Sequence, residues 1–316
     1  QNTTRNYKKL NNSQLNSGNP DESEQIQIDW ISIFGDLMGG FCLFMYGMRV
    51  MSEALKSMAG EQLKEVLSAL SSNPIMALLS GIFVTALLQS SALVSVMIVS
   101  FVSSGYMTFE QSITVLLGAG IGTTITSQLV AFNISKFSLY FVTLGFGLAF
   151  SHKKKTQDYG KAIFGLGLIF YGISVMSKSM IPLRTYPPFI ELLIKMSHPL
   201  LSLIVSIVFT AIIQSSTAVV GIIIVLTAQS LITLKAAVCM VLGANVGTAI
   251  TAVLASAGST REAKRVAVAN ILTKVIGAVV LLPLLHAFLI LVESTSPEPP
   301  RQVANAHTIF NVAIAV

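Results

Sequence analysis

Charge is missing from long stretches of this chain, and that limits what it can fold into. No Asp, Glu, Lys or Arg lies between Glu65 and Glu110, between Glu110 and Lys136, or between Lys161 and Lys178. The same holds between Lys195 and Lys235, between Lys235 and Arg261, and between Lys274 and Glu293. A helix needs ~20 predominantly apolar residues to span the hydrocarbon core of a bilayer. The chain must therefore enter or cross a membrane many times. Strands of a transmembrane barrel would alternate apolar and polar positions over ~10 residues, which these runs do not do. With 53% hydrophobic and 11% charged residues, the chain has too little charge to cover a soluble globule. A nucleic-acid-binding protein, a disordered chain and nearly every soluble enzyme are excluded. The net charge of +6 forms no compact basic patch, so the expected surroundings are a lipid bilayer and not nucleic acid.

The ends of the chain differ from its middle. Residues 1–29 are polar and rich in Asn and Ser, which predicts a flexible tail. Between 52 and 70, Leu55, Met58, Ala59, Leu63, Val66, Leu67 and Leu70 fall at helical spacing among charged residues. That pattern predicts an amphipathic helix at the membrane interface or against a partner helix. The final stretch turns apolar and stops at Val316, so a longer natural protein is expected.

The chain also contains itself twice. Gln214-Ser215-Ser216 echoes Gln89-Ser90-Ser91, and 214 minus 89 is 125. Gly243-Ala244-Asn245-Val246-Gly247-Thr248 echoes Gly118-Ala119-Gly120-Ile121-Gly122-Thr123 at the same offset. Tyr171-Gly172, Pro199, Thr210-Ala211, Thr233 and Ile250-Thr251 find partners 125 residues earlier as well. The expected organisation is the tail, a first membrane copy over 30–151, a second over 155–277, and further membrane helices over 278–316. Many secondary transporters are built from two such copies, usually inverted, with the substrate held near mid-membrane where broken helices meet. The fold class read from the sequence is therefore all-α: a polytopic helical membrane protein of two tandem inverted repeats with re-entrant or broken helices.

The polar interruptions shared by both copies are the natural places for a site. As one helix, Pro74 to Ser104 would be ~46 Å long, against a core of ~30 Å. Two pieces are expected, with Gln89-Ser90-Ser91 at the break, and likewise for His198 to Ala228 around Gln214-Ser215-Ser216-Thr217. Unwound backbone survives in a membrane only where protein or a wet cavity satisfies it. Carbonyl and hydroxyl oxygens suit small hard cations, while hydroxyls and helix N-termini suit oxyanions. The glycine-rich segments starting at Gly118 and Gly243 allow a second break surrounded by hydroxyls. Their small-xxx-small spacing equally allows plain helix packing.

Other residues carry less. Asp36 and Arg49 flank a short run and read as interfacial. Lys274 lies inside an apolar segment, where an ionisable residue is a functional candidate by default. His152, His198, His286 and His307 have no ligand spacing, so no metal cluster is expected. No nucleophile–base pair suggests an enzyme. Cys42 and Cys239 read as small buried hydrophobes.

The paired Q-S-S triplets and the paired G-A-x-[IV]-G-T motifs resemble the type II sodium/phosphate cotransporter family, bacterial members included. The stretches Pro182-Leu183-Arg184-Thr185-Tyr186-Pro187-Pro188-Phe189-Ile190 and Ala306-His307-Thr308-Ile309-Phe310-Asn311 share the resemblance. It implies uptake of inorganic phosphate coupled to sodium, without an organic cofactor. It also implies that Gln89, Ser90, Ser91, Gln214, Ser215 and Ser216 line a shared phosphate and sodium site. Thr85, Thr210, Thr217, Thr123, Thr248, Thr251 and Asn245 follow as neighbouring candidates. A third hydroxyl often follows Q-S-S in that family, and here it is Thr217 in one copy but Ala92 in the other.

The expected activity is thus sodium-driven phosphate symport across the cell membrane by alternating access. Bound sodium would supply the positive field, since neither motif holds Arg or Lys. The alternatives are another oxyanion, such as sulfate or a dicarboxylate, and a membrane phosphate sensor or scaffold. The basic loop at His152-Lys153-Lys154-Lys155 predicts a cytoplasmic position. A homodimer is a further expectation, with no residue pattern behind it.

Overall fold

The computed structural model describes residues 29–68, 73–132 and 134–316, with backbone only for 60–68. Apart from Asp29, the expected tail lies outside these residues, as do the side chains from Glu61 to Leu70 in the expected amphipathic helix. The described chain is helical throughout, with no strand among the described residues. Its α-helices are α1 (Trp30–Ser68), α2 (Pro74–Leu88), α3 (Ser91–Ser103), α4 (Phe109–Val130), α5 (Ser138–Ala149), α6 (Lys154–Ser179) and α7 (Pro187–Lys195). They continue as α8 (Pro199–Ile213), α9 (Ser216–Ala228), α10 (Leu234–Ala255), α11 (Arg261–Leu281), α12 (Leu285–Ser294) and α13 (Pro299–Ala313). The bounds of α8, α9 and α10 fall 125 residues after those of α2, α3 and α4 at both ends.

Local chemistry sets these boundaries. Asp29 Oδ1 accepts the amides of Ile31 and Ser32, and so caps α1. Pro74 and Pro199 open α2 and α8 at the first turn, where their missing amide costs nothing. Thr108 and Gln111 form a reciprocal capping box on α4, and Thr233 Oγ1 accepts the Ala236 amide on α10.

Several helices are inside-out relative to a soluble protein. On α8 the hydroxyl residues Ser202, Ser206 and Thr210 are buried, while Ile204, Val208 and Ile212 are exposed. Water would penalise that arrangement and lipid favours it. Four helical stretches are long and apolar enough to cross a bilayer: Trp30–Ala59, Phe109–Val130, Lys154–Thr185 and Leu234–Ala255. Two bent pairs, α7 with α8 and α11 with α12, raise the count to six among the described residues if each is one span. The chain is a multi-pass membrane protein.

Glycine contacts give the relative directions of the helices. A Cβ at Gly118 or Gly122 would meet the carbonyl oxygen of Leu78 or Ile82, so α2 and α4 run parallel. Gly243 and Gly247 face Leu203 and Ile207 in the same way, so α8 and α10 are parallel too. Since α3 ends just before α4 begins, α3 must double back on α2. Each Q-S-S triplet is therefore the tip of a helical hairpin. Gly40 and Gly47 of α1 meet Gly172 and Gly165 of α6, which makes that pair antiparallel. Adding 125 to 40 and 47 gives 165 and 172, so the contact maps onto itself when the copies are exchanged.

The residues from 52 onward continue α1, whose 39 residues reach ~58 Å. Of the two readings of that stretch, the part up to Ala59 fits a helix against a partner: Ser57 Oγ donates to Asp158 Oδ2 of α6 at 2.8 Å. Two expectations need correction. The glycine-rich segments make no break: α4 and α10 run straight through them, because the glycines serve close packing and keep their helical hydrogen bonds. Cys42 is exposed and only Cys239 is buried, since a lipid-facing helix surface accepts apolar residues as readily as a core does. Asp36 and Arg49 are both exposed, and Arg49 pairs with Glu53 at 2.9 Å.

Candidate functional site

The three residues of each triplet do three different things. Gln89 (φ 51°, ψ 26°) and Gln214 (φ 58°, ψ 24°) adopt the left-handed conformation that ends α2 and α8. Their amides donate to the carbonyls of Thr85 and Thr210 at 2.7 Å. A non-glycine residue pays ~1–2 kcal/mol to sit there. Ser90 and Ser215 are extended and cap the next helix, their hydroxyls accepting the amides of Leu93 and Ala218 at 3.2 Å. Ser91 and Ser216 begin α3 and α9, and both line a cavity.

That cavity is small, about 20 Å³. Ser91 and Ser95 of α3 with Leu116, Ala119, Gly120 and Thr123 of α4 form its wall from the first copy. Ser216 of α9 with Asn245, Thr248 and Ala249 of α10 form the wall from the second. Asn270 and Lys274 of α11 complete it. Ser91 pairs with Ser216, Gly120 with Asn245, and Thr123 with Thr248 at the 125-residue offset. The two N-termini of α3 and α9 also meet here, each carrying the partial positive charge of exposed amides.

Hydrogen bonding sorts these side chains by what they have left to offer. Thr123 and Thr248 donate to the carbonyls of Ala119 and Ala244 at 3.0 Å, leaving oxygen lone pairs available. Lys274 Nζ donates to Asn311 Oδ1 at 2.9 Å. Asn311 Nδ2 donates to Asn245 Oδ1 at 3.0 Å and to the His307 carbonyl at 2.9 Å. His307 Nδ1 hydrogen-bonds Ser127 Oγ at 2.9 Å. A buried polar chain thus ties α4, α10, α11 and α13 together behind the cavity.

Of the residues named from sequence, Ser91, Thr123, Ser216, Asn245 and Thr248 line the cavity. Gln89, Ser90, Gln214, Ser215, Thr217, Thr85, Thr210 and Thr251 do not. Thr217 is buried beside Ser216, and Thr251 donates to the Thr248 carbonyl at 2.7 Å. Thr85 and Thr210 are wholly buried, and neither hydroxyl has a partner among the described residues; the Gln89 Oε1 is likewise buried and unpaired among them. Buried oxygens with no donor are costly unless something else supplies the contact. Sequence reading missed Ser95 and Asn270 and left Lys274 without a role. Ser95 lies one helical turn after Ser91, a spacing that could have found it. Nothing local brings α11 to the hairpins.

Hairpin tips, a polar cavity lined by α3, α4, α9, α10 and α11, and apolar outward helix faces define a multi-pass membrane protein with a polar site in its interior. The chain belongs to the Na+/Pi-cotransporter family, a phosphate-transport family whose model matches residues 43–178 and 189–309. The Bacillus subtilis "Uncharacterized protein YqeW" is 34% identical over 276 residues, covering 86% of this chain and 89% of that one. The Salmonella typhimurium "Putative inorganic phosphate export protein YjbB" is 27% identical over 278 residues, covering 87% of this chain. The present chain spans 51% of that relative's length. Human "Sodium-dependent phosphate transport protein 2B" is 35% identical over 97 residues, covering 30% of this chain and 14% of that one. No solved structure shows a significant match.

Proposed function

We propose that the protein carries inorganic phosphate across the cell membrane coupled to sodium, by alternating access of two inverted copies about the cavity. The observation that carries this reading is the pairing of Ser91 with Ser216 and of Thr123 with Thr248 around one cavity. Hydroxyls and two helix N-termini converge there without a carboxylate, which suits an oxyanion. The unpaired oxygens of Thr85, Gln89 and Thr210 suit a dehydrated cation at the hairpin tips. Gln214 is exposed and would join them on closure. The antiparallel, self-mapping contact of α1 with α6 supports the inverted relation of the copies.

Labelled phosphate uptake into proteoliposomes tests the reading. Uptake should overshoot equilibrium under an inward sodium gradient, and Ser216→Ala or Gln214→Ala should abolish the stimulation. Normal rates in both variants would remove the site assignment. The name of the Salmonella relative, a putative inorganic phosphate export protein, favours a second direction, export. Proteoliposomes loaded with labelled phosphate and given a sodium gradient of either sign separate the two directions. Competition by sulfate and succinate separates phosphate from other oxyanions. Phosphate binding without transport would instead mark a sensor.

A further inference from the structure

The two copies differ at several positions of the cavity wall, and at one of them a charge takes the place of a side chain. Asn245 and Gly120 are equivalent by the 125-residue offset. The Asn245 side chain fills its own place, accepting from Asn311 and donating to the Val241 carbonyl at 2.9 Å. In the other copy that place has no side chain, and the Lys274 ammonium stands in it. A Cβ at Gly120 would lie 2.6 Å from Lys274 Nζ and 2.7 Å from Asn311 Oδ1. The lysine is 7% exposed and lines the cavity with Ser91 and Ser216.

The electrostatics around this lysine are incomplete. Asn311 Oδ1 is its one acceptor among the described residues. Both ion pairs among those residues, Arg49 with Glu53 and Lys154 with Asp158, lie elsewhere. The cavity wall offers hydroxyls and amides and no negative charge. An ammonium buried with a single neutral acceptor is uncompensated. What would compensate it is an anion in the cavity.

We infer that Lys274, admitted by the glycine at position 120, is the fixed counter-charge of the anion site, so that anion binding rests on a protein cation as well as on sodium. This rests on reading the cavity as a phosphate site. A lysine serves such a site as a point charge, while the serine hydroxyls supply direction. It also changes the role of sodium: sodium strengthens a field that Lys274 already provides.

Equilibrium binding of labelled inorganic phosphate to the purified full chain in detergent is the test, run in sodium chloride and in choline chloride. The native protein should bind in both, more tightly with sodium. No binding in either medium would overturn the phosphate reading itself and this inference with it. If the native protein binds, Lys274→Met should weaken binding by about tenfold or more in both media, with Lys274→Arg recovering part of it. Gly120→Ala should also weaken binding, because its Cβ crowds the ammonium. Binding by Lys274→Met within twofold of native would overturn the assignment. So would a loss confined to sodium medium, which would place the lysine at the cation. If Lys274→Met does not elute as a folded protein, Gly120→Ala decides, and native affinity in a folded Gly120→Ala protein overturns the inference.

Discussion

Each serine of the hairpin tips has its own neighbours, so mutating them one at a time should give different results. Ser90 and Ser215 hold helix N-termini through their hydroxyls. Replacing either with Ala should lower stability by about 1 kcal/mol, seen as a lower melting temperature in detergent. Ser91 and Ser216 face the cavity, and their hydroxyls make no hydrogen bond among the described residues. Replacing these with Ala should leave the melting temperature nearly unchanged and weaken phosphate binding. If all four variants behaved alike, this division of roles would be wrong. Gln89→Gly separates backbone from side chain: glycine takes the left-handed turn without strain, so the hairpin should survive while the amide oxygen is lost. Sodium stimulation should fall in that variant although the fold is retained.

Single elements are held by backbone contact as much as by side chains. α4 and α10 approach the first arm of each hairpin closely enough that Gly118 and Gly243 touch backbone carbonyls. Gly118→Val or Gly243→Val should push the hairpin away and cost about 1–3 kcal/mol, with a matching drop in melting temperature. Gly39 provides the contrast, because a Cβ there meets nothing within 4 Å. Gly39→Ala should be neutral or stabilise by up to ~1 kcal/mol through helix propensity. Equal destabilisation at positions 39 and 118 would mean that close packing is not the reason for these glycines. The same packing explains why the second polar interruption is no break. Small residues with hydroxyls every few positions can mark either an unwound turn or a tight helix pair. Here the facing carbonyls of Leu78, Ile82, Leu203 and Ile207 decide for the pair.

Topology is the property of the whole molecule that most needs a measurement. If the copies are inverted, the turn after α3 and the turn after α9 face opposite sides of the membrane. Single cysteines placed at Ser104 and at Gln229, with Cys42 and Cys239 replaced by Ser, should react with an impermeant maleimide from opposite sides of sealed vesicles. Labelling of both from one side would mean parallel copies. Among the described residues the core falls into three clusters, one of which joins Leu242 of α10 to Phe288 of α12 and Phe310 of α13. A second joins Phe44 of α1 and Phe170 of α6 to Val220 of α9, while the third joins Val84 of α2 and Ile98 of α3 to Val266 of α11. The cavity lies where helices from both copies meet; α11 completes its wall, and Asn311 of α13 hydrogen-bonds the wall residues Lys274 and Asn245.

The sequence alone determined that this is a helical membrane protein, that its motifs recur at a constant offset of 125 residues, and that the helices break at each Gln-Ser-Ser. Those properties are local: the charge deficit, the constant offset and the length of an unbroken apolar run all depend on neighbours along the chain. Only the tertiary structure decided which serine caps a helix and which faces the cavity, since that depends on how each hairpin doubles back. Only it brought Lys274 to the empty place beside Gly120, more than 150 residues away. A sequence motif specifies backbone conformation within a turn or two. The electrostatics of a cavity depend on helices that meet only after the chain has folded.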